Sequence, residues 1–176
     1  TGFKIANRTG IELQVQQTAR VDFALEIGQV SEVVEVTGSS QLLATEDATV
    51  GTVIEQKRIT DLPLNGRSFF SLVALSPNVT TGFNQAAQAA GRQGGTRSQL
   101  TISMAGARSA WSNYTLDGIT NTDINFNLYI MQPSVEALQE FKVQSGIYPA
   151  EFGRGSGQIN VSTKGGSNDY HGALFE

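Results

Sequence analysis

The chain has 176 residues, a formal net charge of −4 at pH 7, one histidine and no cysteine. This length suits one domain of ordinary size, or one domain with a fragment of another attached. The lack of cysteine excludes thiolate chemistry and cysteine-built zinc sites. The mild negative charge without any basic run argues against nucleic acid as a partner.

Residues 1–37 alternate apolar and polar side chains in the short runs "FKIA", "IELQVQ", "RVDFALE" and "EVVEVT". The alternation predicts strands separated by turns. Because such strands could not bury their apolar faces alone, we expect them to close a small β-sandwich whose opening strands lie upstream. Residues 38–48, "GSSQLLATEDA", predict a linker.

After the linker, "TVGTVIE" predicts a strand and "EQKRITDLP" predicts one or two helical turns that end at Pro63. A second helix is predicted over "GRSFFSLVALS", with Asn65 as its N-cap and Pro77 at its end. Residues 80–99 are rich in Gly, Gln and Ala without periodicity, and they predict a long loop.

Alternation returns at "LTISM" and again at "NYTL", which ends in a turn at Asp117 and Gly118, and the two runs predict neighbouring strands. A helix is predicted from Pro133 through "VEALQEF", followed directly by the strand "FKVQSG". "GQINVSTKGG" predicts another strand and "HGALFE" the start of one more. The order from Thr49 is β, α, α, β, β, α, β, β, which indicates a small mixed layer of the α+β class.

Three glycines at alternate positions, Gly153, Gly155 and Gly157, precede the "QINVST" strand. A phosphate-binding glycine loop follows a strand and opens a helix, so this order disfavours a nucleotide site and favours a tight turn into a strand.

The stretches "NYTLDGI", "SVEALQEFKVQSG" and "YPAEFGRGSGQINVSTKGG" together resemble the plug domain of TonB-dependent outer-membrane receptors. "LPLNGRSFFSLVALSPNV" is typical of the large receptors of this type, which carry an N-terminal carboxypeptidase-regulatory-like sandwich. The resemblance implies an α+β fold with a small mixed sheet and short helices. It divides the chain into the end of the sandwich (1–37), a linker (38–48), the plug (49–166) and the start of the first barrel strand (167–176).

The resemblance also implies functional positions. The plug-motif residues are Arg67, Arg108, Asp117, Gly118, Gly146, Phe152, Gly153, Thr163 and Lys164. Many plugs carry an Arg-Gly pair on the strand before the Asp-Gly strand, whereas this chain reads "MAGARSA", so Arg108 is expected to serve from a shifted position. Gly165 and Gly166 are expected to be the hinge to the barrel. Gly153, Gly155 and Gly157 are expected to relieve crowding near the barrel wall.

The function implied by the resemblance is a gate. The plug would occlude the lumen of the chain's own C-terminal β-barrel in the outer membrane of a Gram-negative bacterium, with the N-terminus in the periplasm. It would couple the energy delivered by the TonB C-terminal domain to the uptake of a transported substrate. No catalytic residue, cofactor or metal is implied.

The segment Glu32, Val33, Val34, Glu35, Val36 and Thr37 resembles a TonB box, which TonB captures by adding a strand. The same six residues equally suit the last strand of the sandwich, and both interpretations stay open.

Two other classes of function are weaker. An enzyme would draw its acid and base from Asp117, Asp123, Glu136, Glu140, Glu151 or His171, but these positions predict turns, loops and solvated faces. A soluble ligand-binding or calcium-binding adhesin-type module would use oxygen ligands at alternate positions, namely Asn121, Asp123, Asn125 and Asn127. Phe126 stands where the turn of an EF-hand-type loop needs glycine.

Overall fold

The structure is a computed structural model in which the chain forms two compact units, Thr1–Ala48 and Thr49–Glu176. It describes residues 2–11, 13–28, 33–37, 49–83, 100–108, 111–123, 128–153, 155–170 and 172–173.

The first unit contains a two-stranded parallel sheet. Strand β1 (Ile5–Thr9) pairs with β2 (Val33–Thr37), and a single antiparallel bridge joins Phe3 to Ile27. The strands predicted over "IELQVQ" and "RVDFALE" are not found among the described residues 13–26, so this prediction was wrong. The segment buries little apolar surface that would hold it as a strand, since Phe23 is 52% and Leu25 55% exposed.

The second unit is built on a five-stranded mixed sheet. Its strands are β3 (Gly51–Glu55), β6 (Ser112–Leu116), β7 (Ile119–Thr120), β8 (Leu138–Ser145) and β9 (Gly157–Thr163), and their order across the sheet is β3-β8-β9-β6-β7. The β6–β9 pair is parallel, and the β3–β8, β8–β9 and β6–β7 pairs are antiparallel. A separate antiparallel pair consists of β4 (Val79–Phe83) and β5 (Leu100–Met104). The α+β class with a small mixed sheet and short helices is confirmed.

The apolar core lies on one face of this sheet, where alternate residues of β8, β9 and β6 meet the short helices. The buried rings stack closely, with centroids 4.2 Å apart for Phe69 and Phe70 and 4.0 Å apart for Phe70 and Tyr129. The buried apolar residues are Ile54, Ile59, Phe69, Phe70, Leu72, Val73, Ile102, Met104, Tyr114, Tyr129, Val135, Leu138, Phe141, Val143, Ile159 and Val161.

Helix α1 (Gln56–Asp61) forms as predicted and buries Ile59, but the second predicted helix consists of two 3₁₀ segments, Asn65–Arg67 and Phe69–Leu75. The prediction of Asn65 as N-cap was wrong, because Gly66 (φ 63°) and Arg67 (φ 52°) are left-handed and interrupt the helix. The three-residue period of the second segment places Phe69 above Leu72 and Phe70 above Val73, and all four are buried.

The predicted helix after Pro133 is reduced to one 3₁₀ turn, Val135–Ala137, and the remainder of "VEALQEF" begins β8. This part of the prediction was wrong because β8 pairs on both edges, with β3 and with β9, and that pairing outweighs the local helix preference.

Three further predictions about strands have separate outcomes. Strands β5 and β6 are neighbours, as predicted, but they form no ladder, because a turn through Ala105 (φ 50°) and Gly106 (φ 73°) ends β5. The Ser112 hydroxyl donates to the Ile102 carbonyl (3.1 Å) and joins the two strands. Strand β4 extends into the predicted loop, of which residues 84–99 lie outside the described part. The described residues of the last predicted strand, 172–173, are not in a strand.

Candidate functional site

The predicted turn at Asp117 and Gly118 is confirmed, and the structure brings Asp117 to a second motif residue, Thr163. Both turn residues are left-handed, with φ of 48° and 79°, as a tight two-residue hairpin requires. Asp117 Oδ1 accepts from the Thr163 backbone N–H and Oδ2 from the Thr163 hydroxyl, each at 2.8 Å. The carboxylate therefore ties the β6–β7 turn to the last residue of β9.

Lys164 and the two hinge glycines follow directly. The Lys164 N–H donates to the Ala137 carbonyl at 2.8 Å, so the chain is held from the β8 side as well. Gly165 and Gly166 are exposed, and a Cβ added to either would meet nothing within 4 Å. A side chain would therefore fit at both glycines, whereas the backbone of Lys164 is held by β8.

Phe152 and Gly153 organise the crossing segment between β8 and β9. The Phe152 carbonyl accepts from Gln158 Nε2 (2.8 Å) and from Asn113 Nδ2 (3.3 Å), which fastens the segment to β9 and β6. Gly153 has φ 80° and ψ −160°, a region open essentially to glycine alone. Gly146 has φ 93° where β8 ends, so both motif glycines are explained by backbone conformation.

Two glycines at the start of β9 relieve crowding inside the second unit. A Cβ at Gly155 would lie 2.7 Å from the Trp111 carbonyl oxygen, and one at Gly157 would lie 2.8 Å from the Gln144 carbonyl oxygen and would overlap the Met104 sulfur. Neighbouring segments of the same unit therefore already exclude a side chain at Gly155 and Gly157. The expectation that these glycines also relieve crowding near a barrel wall stays a prediction.

The face of the sheet opposite the core carries a polar seam that sequence reasoning missed. Asn160 Nδ2 donates to Gln144 Oε1 (3.1 Å), and Thr115 Oγ1 donates to Asn160 Oδ1 (2.6 Å). Gln144 and Asn160 are only 1% and 2% exposed. The signal was present in "QINVST", where the polar members alternate with Ile159 and Val161.

The two motif arginines lie in different surroundings. Arg67 forms an ion pair with Glu136, which joins the interrupted helix to the turn before β8. Arg108 is exposed, and its carbonyl accepts from the Trp111 N–H at 3.0 Å.

Asn121, one of the four candidate cation ligands, uses its side chain to bind the backbone of Met131. The side chain of Asn121 donates to the Met131 carbonyl (2.7 Å) and accepts from the Met131 N–H (2.9 Å). Asp123 is half-buried, and Asn125 and Asn127 lie outside the described residues.

Two of the six acid and base candidates for catalysis have structural partners in the second unit. Asp117 is bound to Thr163, Glu136 is bound to Arg67, and His171 lies outside the described residues. Among the residues that the structure describes, no three His, Cys, Asp or Glu side chains are grouped to hold a metal ion. No helix in this part of the chain is long and apolar enough to cross a membrane.

The candidate TonB segment contains a strand. Val33 to Thr37 form β2, whose register with β1 runs from Ile5 opposite Val33 to Thr9 opposite Thr37. Glu32 lies outside the described residues.

Comparison with known proteins agrees with this geometry. The TonB-dependent transporter Oar of Myxococcus xanthus is 31% identical over 182 residues, an alignment that covers 98% of this chain. The chain spans 16% of the length of that relative. No family model matches the chain.

Solved structures share the fold. The siderophore receptor PirA from Acinetobacter baumannii is 22% identical and matches with a TM-score of 0.51 over 68% of this chain and 18% of its own. The outer membrane transporter YddB from Escherichia coli is 23% identical, with a TM-score of 0.50 over 65% of this chain and 17% of its own. The relatives are transporters and receptors rather than enzymes. The chain therefore belongs to the family of TonB-dependent transporters of the Gram-negative outer membrane, and its fold is that of their plug domain.

Proposed function

We propose that this chain is the gate of an outer-membrane transporter, in which residues 49–166 occlude the lumen of a barrel that begins at residues 167–176. TonB is the partner that opens the gate, and an external substrate then passes. Residues 1–37 are the end of a regulatory-like sandwich. The observation that carries the proposal is the similarity to a TonB-dependent transporter along 98% of the chain.

The position of β3 supports a path for the pulling force. The proposed linker, residues 38–48, precedes β3 in the chain, and among the described strands β3 pairs with β8 alone and so lies at an edge of the sheet. The Val50 carbonyl accepts from Ser145 N–H (3.0 Å) and the Val50 N–H donates to Ile147 (3.2 Å), so the ladder starts at the first residues after the linker. Strand β9 is paired with β8 and with β6, so pulling it out of the sheet would break two ladders at once. Tension applied through the linker therefore removes β3 first.

A disulfide lock between β3 and β8 tests this order. Val53 lies opposite Lys142, and directly opposed residues of an antiparallel ladder have Cα atoms about 4.5–5.5 Å apart, within reach of a disulfide. These 176 residues contain no cysteine, so only cysteines in the rest of the transporter need to be replaced by serine before the test. In the full-length transporter, oxidised Val53→Cys/Lys142→Cys should abolish TonB-dependent uptake while substrate binding persists, and reduction should restore uptake.

The matched control places the same lock one strand further from the pulled end. Glu140→Cys/Ser162→Cys joins β8 to β9 at opposed positions and leaves β3 free. Uptake should survive oxidation in this control. Full uptake by the oxidised Val53–Lys142 variant would refute the proposed order.

We propose that TonB captures residues Glu32 to Thr37 through main-chain hydrogen bonds, for which β2 would leave β1. Strand addition tolerates side-chain changes but needs backbone donors. A peptide of residues 30–39 should bind the purified TonB C-terminal domain, as measured by fluorescence polarisation. Val34→Thr should preserve binding, and Val34→Pro, which removes one N–H, should weaken it.

The competing role for this segment, the last strand of the sandwich, predicts a different pattern. Val34 is opposite Ala6 in the parallel ladder, so proline there would break the β1–β2 sheet. If the peptides do not bind TonB and Val34→Pro unfolds the first unit, the segment is a structural strand and TonB binds elsewhere.

A further inference from the structure

We propose that Asp117 is a positioning residue, a clasp that fixes the end of β9 and so sets the point at which the chain leaves the plug. The inference rests on the proposed function only where it assigns the residues after Lys164 to a barrel. The clasp itself concerns contacts inside the plug, and its test needs neither TonB nor substrate.

The carboxylate is fully engaged by one partner residue. Each oxygen of Asp117 accepts one hydrogen bond at 2.8 Å, one from the Thr163 N–H and one from the Thr163 hydroxyl. Hydrogen bonds to an ionised carboxylate are stronger than those between neutral groups, and two of them also fix geometry. Asn in place of Asp would lose the charge and one of the two acceptors.

The backbone of the turn aims this carboxylate. Asp117 is left-handed (φ 48°), a conformation that Asp tolerates better than most residues, and its N–H donates to the Val161 carbonyl at 2.9 Å. Three hydrogen bonds therefore connect one residue of the β6–β7 turn to Val161 and Thr163 of β9. The turn residue serves both the hairpin and the neighbouring strand.

The opposite flank holds the same point of the chain. Thr163 lies opposite Leu138 of β8, beyond a register shift, and the Lys164 N–H donates to the Ala137 carbonyl at 2.8 Å. Directly afterwards, Gly165 and Gly166 are exposed in open space. The change from held to open chain takes place across one peptide bond, between Lys164 and Gly165.

The clasp makes the entry strand and the exit strand of the plug differ in how firmly they are held. The strand that receives tension, β3, lies at an unclasped edge, whereas β9 is central and its final residue is held from both sides. Without the clasp, β9 would fray from its exit end, and the boundary between plug and following chain would move back into the strand.

Hydrogen exchange of the Thr163 amide tests the clasp directly, because that N–H donates to Asp117. In the full-length protein in detergent, Asp117→Gly keeps the left-handed turn and removes the carboxylate. It should speed exchange of this amide about tenfold, as expected for the loss of hydrogen bonds to a charged group. Thr163→Val removes only the hydroxyl donor and should give a smaller increase, about threefold.

The control separates the carboxylate from the stability of the hairpin. Thr120 is exposed and pairs with Thr115, so Thr120→Gly weakens the β6–β7 hairpin without touching the clasp. Exchange at Thr163 should stay at the wild-type rate in this variant. The clasp is refuted if Asp117→Gly and Thr163→Val both leave the Thr163 amide protected, or if Thr120→Gly exposes it equally. A failure of the β3 lock experiment would leave the exchange result unchanged, so the two proposals fail separately.

Discussion

Replacing Gly157 with alanine should destabilise the plug, because no side chain fits between β9 and its neighbours. The added Cβ would lie 2.8 Å from the Gln144 carbonyl oxygen and 3.0 Å from Met104 Cβ, and it would overlap the Met104 sulfur. Met104 is fully buried, so its thioether cannot swing into solvent. The Gln144 carbonyl belongs to a central strand and cannot retreat without breaking the β8–β9 ladder.

The expected loss of unfolding free energy follows from these contacts. Overpacking a close-packed core costs about 1–3 kcal/mol, and the upper half of that range applies where one of the opposed atoms is backbone. For a protein of this size, with a urea m-value of about 2 kcal/mol per molar, a loss of about 2–3 kcal/mol lowers the unfolding midpoint by about 1–1.5 M.

The assay is urea unfolding of the chain followed by far-UV circular dichroism, with Gly165→Ala as the matched control. Gly165 has nothing within 4 Å of an added Cβ, so that variant should stay within about 0.5 kcal/mol of wild type. Met104→Ala alone should cost about 2–5 kcal/mol, and the double variant should cost less than the sum because the new methyl group occupies part of the vacated space. If Gly157→Ala and Gly165→Ala have the same midpoint, the packing explanation of Gly157 is wrong.

Two further predictions concern the core beside β6. Thr122→Val should cost about 1–3 kcal/mol by urea unfolding, because Thr122 Oγ1 accepts from the buried Tyr114 N–H at 2.8 Å, whereas Thr120→Val at the exposed edge should cost almost nothing. Burial, and to a smaller extent the neighbouring Tyr129, raises the pKa of Tyr114 above its ordinary value of 10.0. Since the unfolded chain releases this proton at a lower pH than the folded plug, the free energy of unfolding should fall as pH rises above that value. Tyr114→Phe should flatten this decline, and an equally steep decline in the variant would refute the assignment.

The sequence correctly predicted the turns and strands whose conformation depends on neighbouring residues in the chain. The Asp-Gly pair specified a left-handed turn, and the alternation of "QINVST" specified a strand with Ile159 and Val161 on one face. The helices failed where tertiary contacts decide. "VEALQEF" has helical preferences, but from Leu138 onward it forms β8, which pairs with β3 on one side and with β9 on the other. The aromatic segment Phe69–Leu75 forms a 3₁₀ helix and packs its apolar side chains into the core. A search for the 3.6-residue period of an α-helix does not predict this three-residue period.

The sequence allowed the residues of the candidate site to be named, but it did not allow their contacts with one another to be predicted. Asp117 and Thr163 stand 46 positions apart, and their bond depends on the parallel pairing of β6 with β9, which no local pattern encodes. The polar positions of the seam formed by Gln144, Asn160 and Thr115 were visible as alternation, but their mutual contacts depend on the sheet order for the same reason. Each member alone reads as an exposed position of a half-buried strand, and only the sheet order turns the three into a buried network.

The arrangement of the sheet reconciles two demands that the proposed function makes on a plug. A gate must stay folded at rest, and it must also yield at one defined place when pulled. The mixed sheet separates these demands, because the strand that follows the linker is an edge strand whereas the strand that leaves the plug is central. Removing β3 breaks one ladder and leaves the Asp117 clasp and the polar seam between β8, β9 and β6 intact. Removing β9 would break two ladders, the seam and the clasp together. We expect the difference between these two costs, rather than the stability of the whole domain, to set where the plug opens. A substitution that weakens the β3–β8 ladder should therefore change uptake more than a β9 substitution that costs the same free energy of unfolding.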